Sequence, residues 1–170
     1  MNRGLLLTMT EPPPHMEEEF NAWYDDEHMA ERLAIPGFRS ARRWVADLKP
    51  GEGKYLATYE LDSLAVLTSS AYVARFNHPT PWSKRCMGAC VQFRRWACEQ
   101  ADPGNAPPDP SARALLLALG DAPEVPRVPG ALQLRRFFDP QGKPAHAGLY
   151  EIAASAAAPA GLRLYRAYSP

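Results

Sequence analysis

The sequence has no excess of either charge and no long hydrophobic run. Lysine and arginine together number 19, as do aspartate and glutamate, so the formal net charge is zero. This balance lacks the basic excess typical of nucleic-acid binders and the charge asymmetry typical of membrane-surface proteins. No segment approaches the roughly 18 apolar residues of a membrane span, and the apolar run near residue 5 is too short for a secretory leader. We therefore expect a cytoplasmic protein without nucleic-acid or membrane partners.

Cysteine is scarce, and the common cofactor motifs are missing from the sequence. The three cysteines are Cys86, Cys90 and Cys98; their odd number and spacing fit neither a disulfide framework nor a zinc site. The sequence contains no GxGxxG, P-loop, GxSxG or HExxH motif, so it predicts no nucleotide or flavin site. We expect no cofactor and no metal, with haem held by His28 or His78 as the alternative.

Proline, in contrast, is abundant. It provides 18 of the 170 residues, which is about twice its usual share. Four of these prolines lie in the stretch ADPGNAPPDP at 101–110, a composition typical of an extended linker. The sequence therefore predicts a first repeat at 1–100, a Pro-rich linker at 101–111 and a reduced second repeat at 112–170.

The two sides of this linker share short motifs in the same order. The matching pairs lie 93, 93 and 91 positions apart: Pro36-Gly37 with Pro129-Gly130, Arg42-Arg43 with Arg135-Arg136, and Tyr59-Glu60 with Tyr150-Glu151. We interpret this pattern as an internal duplication. Two copies are too few for a solenoid, so the pattern predicts a pseudo-dimer within one chain.

Hydrophobic periodicity and turn residues predict the elements of the first copy. They indicate a strand at 4–10, a helix at 15–33, a hairpin at 38–46 and 54–61, a helix at 63–76 and a strand at 88–98. This βαββαβ order is the ferredoxin-like arrangement, an α+β fold. Along the first helix, the residues expected to face the core are Met16, Phe20, Trp23, Ala30 and Ala34. The second copy keeps the strands but has trimmed helices, including a short Ala-rich stretch between 153 and 161, and we expect its sheet to close a barrel with the first.

Three segments of the first copy resemble one protein family. They are FNAWYDDEHMAERLAIPGFRSARRW at 20–44, KYLATYEL at 54–61 and AYVARFNHPTPWSKR at 71–85, and they are similar to the EthD-like branch of the dimeric α/β-barrel superfamily. The resemblance implies two ferredoxin-like units facing each other, with a ligand between a sheet and its helices or inside the barrel. Members of the superfamily include lactone isomerases, polyketide cyclases, cofactor-free monooxygenases and haem-binding proteins. The second copy has no equivalent of Tyr24 or His28.

One row of side chains on the first helix carries the candidate catalytic residues. Tyr24, His28 and Arg32 are spaced at i, i+4 and i+8 and so share a face. Asp25, three residues before His28, is expected to reach its imidazole, to hold its tautomer and to raise its pKa, which would suit a general acid or base. The alternatives are an exposed His–Asp pair or a buried histidine bonded to the backbone. Glu27, in line with the core positions, lies either at the edge of the apolar stripe or inside a pocket.

Candidate substrate-binding residues surround this row. Trp23 and Arg32 adjoin it on the helix, and the rigid loop that contains His78 and Trp82 is a candidate lid. The resemblance and the paired arginines also make Arg43 a candidate for binding a carboxylate or enolate. As alternatives, the loop with His78 and Trp82 could be only a rigid connector, and Arg43 could lie on a solvent-exposed face of its strand.

These residues support three functional hypotheses. The first is a cofactor-independent enzyme that abstracts a proton next to the carbonyl of a small apolar carbonyl or lactone compound, with His28 moving the proton and Tyr24 or an arginine holding the oxyanion. The second is a binding or accessory protein that uses the same cleft without chemistry, and the third is a structural oligomerisation module. The trimmed second half is expected to leave Phe137, Phe138 and Tyr165 on a bare sheet face, which predicts a homodimer.

Overall fold

The computed structural model describes residues 2–153 and 158–169, and within them the chain forms eight strands. The strands are β1 (Gly4–Glu11), β2 (Phe38–Val45), β3 (Tyr55–Leu61), β4 (Gln92–Asp102), β5 (Ala114–Gly120), β6 (Gln133–Phe138), β7 (His146–Ile152) and β8 (Arg163–Ala167). The hydrophobic pattern predicts the four strands of the first half within a few residues, and the internal repeat predicts the four strands of the second half.

The helices of the described residues all lie in the first half of the chain. After a short turn at Pro14–Met16, one continuous helical segment comprises α1 (Glu17–Trp23), a π-helical turn (Tyr24–His28) and α2 (Met29–Leu33). A second helical region comprises a 3₁₀ turn (Leu64–Thr68), α3 (Ser70–Asn77) and α4 (Pro81–Ala89). The sequence pattern does not predict helix α4, since Pro79 and Pro81 indicate a fixed loop. Pro81 instead occupies the first helical turn, where its missing N–H has no helical partner to lose.

The eight strands close one antiparallel barrel in the order β1-β3-β2-β8-β5-β7-β6-β4. Each half contributes four neighbouring strands in an equivalent order, β4-β1-β3-β2 and β8-β5-β7-β6. Pairings of β2 with β8 and of β4 with β6 join the halves. The chain is thus a mixed α+β structure whose barrel closes without a second copy.

Apolar side chains form three layers around the barrel wall. The inner layer fills the barrel and includes Leu5, Leu7, Met9, Trp44, Trp96, Leu117, Phe137 and Tyr165. A second layer lies between the first-half strands and the helices. A third covers the outer face of the second half and is completed by loop residues such as Val125 and Val128. The interior is therefore a packed core, and side chains that serve a ligand must lie outside it.

Two expectations about buried residues are wrong. Phe137 and Tyr165 are 1% and 0% exposed and point into the barrel, whereas Phe138 is 38% exposed; alternation along a strand puts neighbours on opposite faces. Ala30 and Ala34 are exposed, because the π-helical turn adds a residue and rotates the following helix. Part of the predicted Ala-rich helical stretch, residues 154–157, lies outside the described residues.

No helix among the described residues is long and apolar enough to cross a membrane. The predicted division into 1–100, 101–111 and 112–170 stays a prediction.

The hairpin between β2 and β3 allows one stability prediction. Glu11 accepts the backbone N–H groups of Gly51 and Gly53 at 2.8 and 3.0 Å, and both glycines have positive φ, +88° and +86°. An alanine Cβ at Gly51 meets nothing within 4 Å, but at Gly53 it meets Met9 Cγ at 2.3 Å. We expect Gly53→Ala to lower the free energy of unfolding by about 1–3 kcal/mol more than Gly51→Ala, because it overpacks the core. Urea denaturation of both variants measures this difference; equal losses would contradict it.

Candidate functional site

The π-helical turn decides which residue of the first helix meets the sheet. A π-turn closes i→i+5 rather than i→i+4 hydrogen bonds and so inserts one extra residue per turn. As a result Trp23, Tyr24 and His28 are all buried, while Glu27 lies at the side of the helix. There Glu27 accepts hydrogen bonds from Thr80 at 2.5 Å and Ser83 at 3.4 Å. Of the two positions open for Glu27, the edge of the apolar stripe is therefore the observed one.

Aromatic rings enclose the His28 imidazole. Its ring centroid lies 4.3 Å from Trp23, 5.1 Å from Tyr24 and 6.4 Å from Tyr59. Only 6% of His28 is exposed. Tyr59 comes from β3, so this aromatic cage joins the helix to the outer face of the sheet. A side chain in this position is shielded from bulk water, and its polar contacts must come from the protein or from a ligand.

Burial and two arginines lower the pKa of His28 to about 3. Burial is the largest cause, followed by the positive charges of Arg32 and Arg43. Arg32 Nε faces His28 Nε2 at 3.5 Å, the long limit of a hydrogen bond. The imidazole is therefore neutral throughout the physiological pH range. The expected rise in its pKa is wrong, because His28 is buried and the nearby charges are those of Arg32 on the helix and Arg43 on β2 rather than that of a carboxylate.

Asp25 pairs with Arg43 instead of His28. Arg43 Nη1 donates to Asp25 Oδ1 at 2.8 Å, and Arg43 Nη2 donates to the Asn21 side chain. The guanidinium also lies 3.9 Å from the ring centroid of Tyr168 and 4.4 Å from that of Tyr24. The expected Asp25–His28 contact is thus wrong. Arg43 ties the helix to β2 and to the last residues of the barrel, and it adds positive potential beside the cage.

Several buried polar atoms on the helices and on the strands beneath them form no hydrogen bond of good geometry within the described part of the chain. They are Thr8 Oγ1, His28 Nδ1, Arg32 Nη1, Tyr59 OH and Trp82 Nε1. Burial raises the pKa of both Tyr24 and Tyr59, so their hydroxyls stay protonated. Buried polar atoms are nearly always hydrogen-bonded in folded proteins. Thr8 and Tyr59 lie against the hydroxyl of Tyr24. His28 Nδ1 and Arg32 Nη1 are therefore the atoms that point to a bound water or ligand.

The other predicted binding residues differ in their positions. Trp82, on α4, packs against the same helix-covered layer, whereas His78 is exposed at the end of α3. Sequence reasoning misses Thr8 and Tyr59. A threonine in the apolar strand β1 is the available signal for Thr8, but nothing distinguishes Tyr59 from the other core tyrosines. A hollow of about 300 Å³ lies on the far side of Arg43 from the ring of Tyr24; its lining includes Asp25, Met29, Arg43 and Tyr168 but none of the cage residues.

The three cysteines are free thiols. Cys86 and Cys98 are buried and Cys90 is half-buried, and burial raises the pKa of Cys90 to about 11. Protonated thiols of this kind behave as small apolar residues. Among residues 2–153 and 158–169, no group of three or more His, Cys, Asp or Glu side chains is placed to hold a metal ion.

Comparison with known proteins places the fold. No protein-family model matches the chain, and no curated protein matches its sequence. Among solved structures, an anthrone oxidase-like protein matches with a TM-score of 0.61 and 12% identity over 99% of this chain and 92% of that one. A chlorite dismutase-like protein matches with a TM-score of 0.56 and 9% identity over 99% and 96% of the two chains. Both neighbours have the dimeric α/β-barrel fold, and this chain shares that fold.

Proposed function

We propose that the protein is a cofactor-independent enzyme that moves a proton on a small apolar carbonyl compound bound beside His28. The observation that carries this proposal is His28 Nδ1, a buried atom without a hydrogen-bond partner among the described residues, in an aromatic cage that also holds the hydroxyls of Tyr24 and Tyr59. An apolar cage with a few converging polar groups is the usual design of a small-molecule site. The resemblance of the fold to an anthrone oxidase-like protein supports an aromatic ketone as the substrate.

The proposed step uses His28 as the proton acceptor. A proton leaves the carbon next to the substrate carbonyl and binds His28 Nδ1, the imidazole nitrogen without a partner among the described residues. This step uses the tautomer that carries its own proton on Nε2, where the contact with Arg32 is at the long limit of a hydrogen bond. The electron pair left on that carbon moves to the carbonyl oxygen and gives an enolate. Return of the proton to the substrate restores neutral His28. The pKa near 3 keeps the imidazole in its neutral, accepting form.

Arg32 and Arg43 supply the other half of this chemistry. Their positive charges disfavour an imidazolium in the free protein, but the same charges favour a substrate enolate. Once the enolate forms, its negative charge offsets theirs, and the proton affinity of His28 rises in the complex. The hydroxyl of Tyr59, protonated and beside that of Tyr24, is a further donor for the oxyanion.

The proposal needs no cofactor. His28 is a poor candidate for haem ligation because its ring packs against Trp23 at 4.3 Å and its Nε2 faces Arg32. His78, the other candidate axial ligand, is exposed on the surface at the end of α3.

Deuterium exchange tests the proposed function. The full-length protein is incubated with anthrone in D₂O, and NMR follows replacement of the methylene protons by deuterium. We expect the wild-type protein to accelerate exchange and His28→Phe to lower the rate at least about 100-fold, since general acid–base catalysis contributes that much. Phenylalanine retains a ring in the cage, so the variant is expected to fold. His15→Phe, at an exposed histidine, is the matched control and should retain full activity.

A second function is favoured by one observation, the depth of His28. A histidine that is 6% exposed with a pKa near 3 is a weak base, which also suits a carrier that binds a carbonyl compound without turnover. In that case anthrone quenches the fluorescence of Trp23 but its protons exchange at the uncatalysed rate. Wild-type exchange in His28→Phe would refute the enzymatic proposal.

We also propose that the two halves are duplicated ferredoxin-like units of an EthD-like chain. The equivalent strand orders support this. So do the matched Glu60 and Glu151, which lie side by side inside the barrel and share one arginine, Arg135.

A further inference from the structure

The outer face of the second half is only partly covered. Where the first half carries a long helix after its first strand, the second half has a loop between β5 and β6. Val125 and Val128 of this loop pack on the sheet, and the Tyr150 hydroxyl donates to the carbonyl of Pro126. The loop covers β5 and β7. A helix in the same place would cover more of the sheet, because a helix is wider than a single extended segment. The junction of β4 with β6 is therefore left open.

A groove of about 600 Å³ occupies this junction. Its apolar lining includes Pro123 and Val125 from the loop and Phe138 from β6. The ring of Phe138 lies 4.9 Å from that of His146, tilted by 34°. Phe138 is one of the few large apolar side chains that remain exposed, at 38%. Volume and lining are those of a small-molecule site, and the two rings suit a flat ligand.

The polar groups of the groove indicate an uncharged ligand. Arg136 pairs with Asp102 at 2.5 Å, so the two charges in the lining cancel. The Nε of Arg136 is buried and without a hydrogen-bond partner among the described residues. A carbonyl or ether oxygen would satisfy that donor, whereas a carboxylate would compete with Asp102 for the same guanidinium.

Arg136 holds the same place in its half as Arg43 does in the first. Each lies on the outer face of the strand that joins its half to the other, β6 beside β4 and β2 beside β8. Around Arg43, the helix supplies Asp25, Asn21 and Tyr24 and fills the space. Around Arg136, the loop supplies none of these groups. The trimmed second half thus turns a filled junction into an open one.

We propose that the groove beside Arg136 is a second small-molecule site, which binds a flat, uncharged aromatic compound that carries a carbonyl or ether oxygen. The ligand's ring packs on Phe138 and His146, and its oxygen accepts a hydrogen bond from Arg136. This site is separate from the cage around His28 and does not depend on the proposed enzymatic function.

The dye Prodan, a neutral naphthyl ketone whose emission shifts to the blue in apolar surroundings, tests the proposal. Full-length protein is titrated with the dye, and the dissociation constant is compared between variants. We expect Phe138→Ala to weaken binding at least tenfold. Ala101→Trp, which adds bulk to an exposed lining residue, should abolish it. Because one variant removes a side chain from β6 and the other adds bulk on the neighbouring β4, a folding defect in one leaves the other informative.

Two matched controls show whether the dye binds in this groove or elsewhere on the protein. Phe93→Ala removes another exposed phenylalanine, 45% exposed on β4 but outside the groove, and should bind the dye as wild type does. Phe138→Ala should weaken dye binding by the same factor in a His28→Phe background as in the wild-type background, which distinguishes this groove from the cage. Equal dye binding by wild type and both groove variants would overturn the proposal. A second outcome would also overturn it: the wild type is a dimer, Phe138→Ala is a monomer, and the two bind the dye equally. The groove would then be an interface between two copies.

Discussion

Replacing Arg135 with methionine is expected to lower the free energy of unfolding by about 3–5 kcal/mol, the usual loss when one partner of a buried ion pair is removed. Arg135 donates from Nη1 and Nη2 to both carboxylate oxygens of Glu60, each at 2.9 Å. It also donates to Glu151 Oε1 from Nε at 3.0 Å and from Nη2 at 2.7 Å. The three side chains are 2–4% exposed. Without the guanidinium, two buried carboxylates would lose their shared cation.

The Pro-rich segment adds to this loss because it closes the same end of the barrel. The backbone N–H of Asp109 donates to Glu151 Oε2 at 2.6 Å, and Gln133 bridges Glu151 and the carbonyl of Pro107. Water reaches the carboxylates only if this segment moves. The variant is therefore expected either to unfold more readily or to expose residues 103–111 to proteases.

Arg136→Met is the matched control for this experiment. Arg136 is the next residue along β6, but its ion pair with Asp102 is largely exposed, and exposed pairs contribute about 0–1 kcal/mol. Guanidinium denaturation of both variants gives the comparison. If Arg135→Met lowers the free energy of unfolding by less than about 1 kcal/mol, the prediction is wrong, because Arg135 would then not be needed to offset the negative charge of the buried Glu60 and Glu151.

Acid is expected to destabilise the protein through His28. The folded-state pKa of His28 is about 3, whereas a histidine in an unfolded chain titrates at about 6.5. Because the folded value is the lower one, the unfolded state takes up the proton first, and stability present above pH 6.5 is lost as the pH falls toward 3. At 1.36 kcal/mol per pKa unit, His28 removes about 2 kcal/mol between pH 7 and pH 5.

Denaturation curves at several pH values measure this contribution. His28→Phe cannot titrate and keeps a ring in the cage, so the stability of the variant relative to wild type should rise by about 2 kcal/mol from pH 7 to pH 5. His15→Phe, at an exposed position, should follow the wild-type curve. Parallel pH profiles for wild type and His28→Phe would mean that the imidazole is hydrated rather than buried.

The elements of the fold can be predicted because they depend on neighbouring residues. The alternation in β2 and β3, the GEG turn between them and the Pro-Gly end of the first helix are local signals. The sequence pattern does not predict helix α4 because proline has two opposite meanings. It disrupts the interior of a helix, but it is favoured in the first turn, where Pro81 lies. The similarity of the two halves predicts the second set of strands, including β8, whose own pattern is weak.

The candidate site can be predicted only in part. The spacing of Tyr24, His28 and Arg32 predicts one row, and the three side chains do lie together. The partner expected for His28 is wrong, since Asp25 turns toward Arg43. No local pattern reveals that Arg43 on β2 will compete for Asp25, because the two are brought together by the packing of the helix on the sheet. Thr8 and Tyr59 join the cage for the same reason.

Local propensity and hydrophobic period are enough to predict the first long helix, the strands of the first half and, among the described residues, the absence of long helices after residue 101. The internal repeat predicts the closed barrel, but two features could be seen only in the folded chain: Arg135 gathers two glutamates inside the barrel, and His28 is neutral beside two arginines. These features depend on strand pairing over long distances and on the extra residue of the π-helical turn. Burial then sets the charge of a side chain, and burial is a property of the assembled fold.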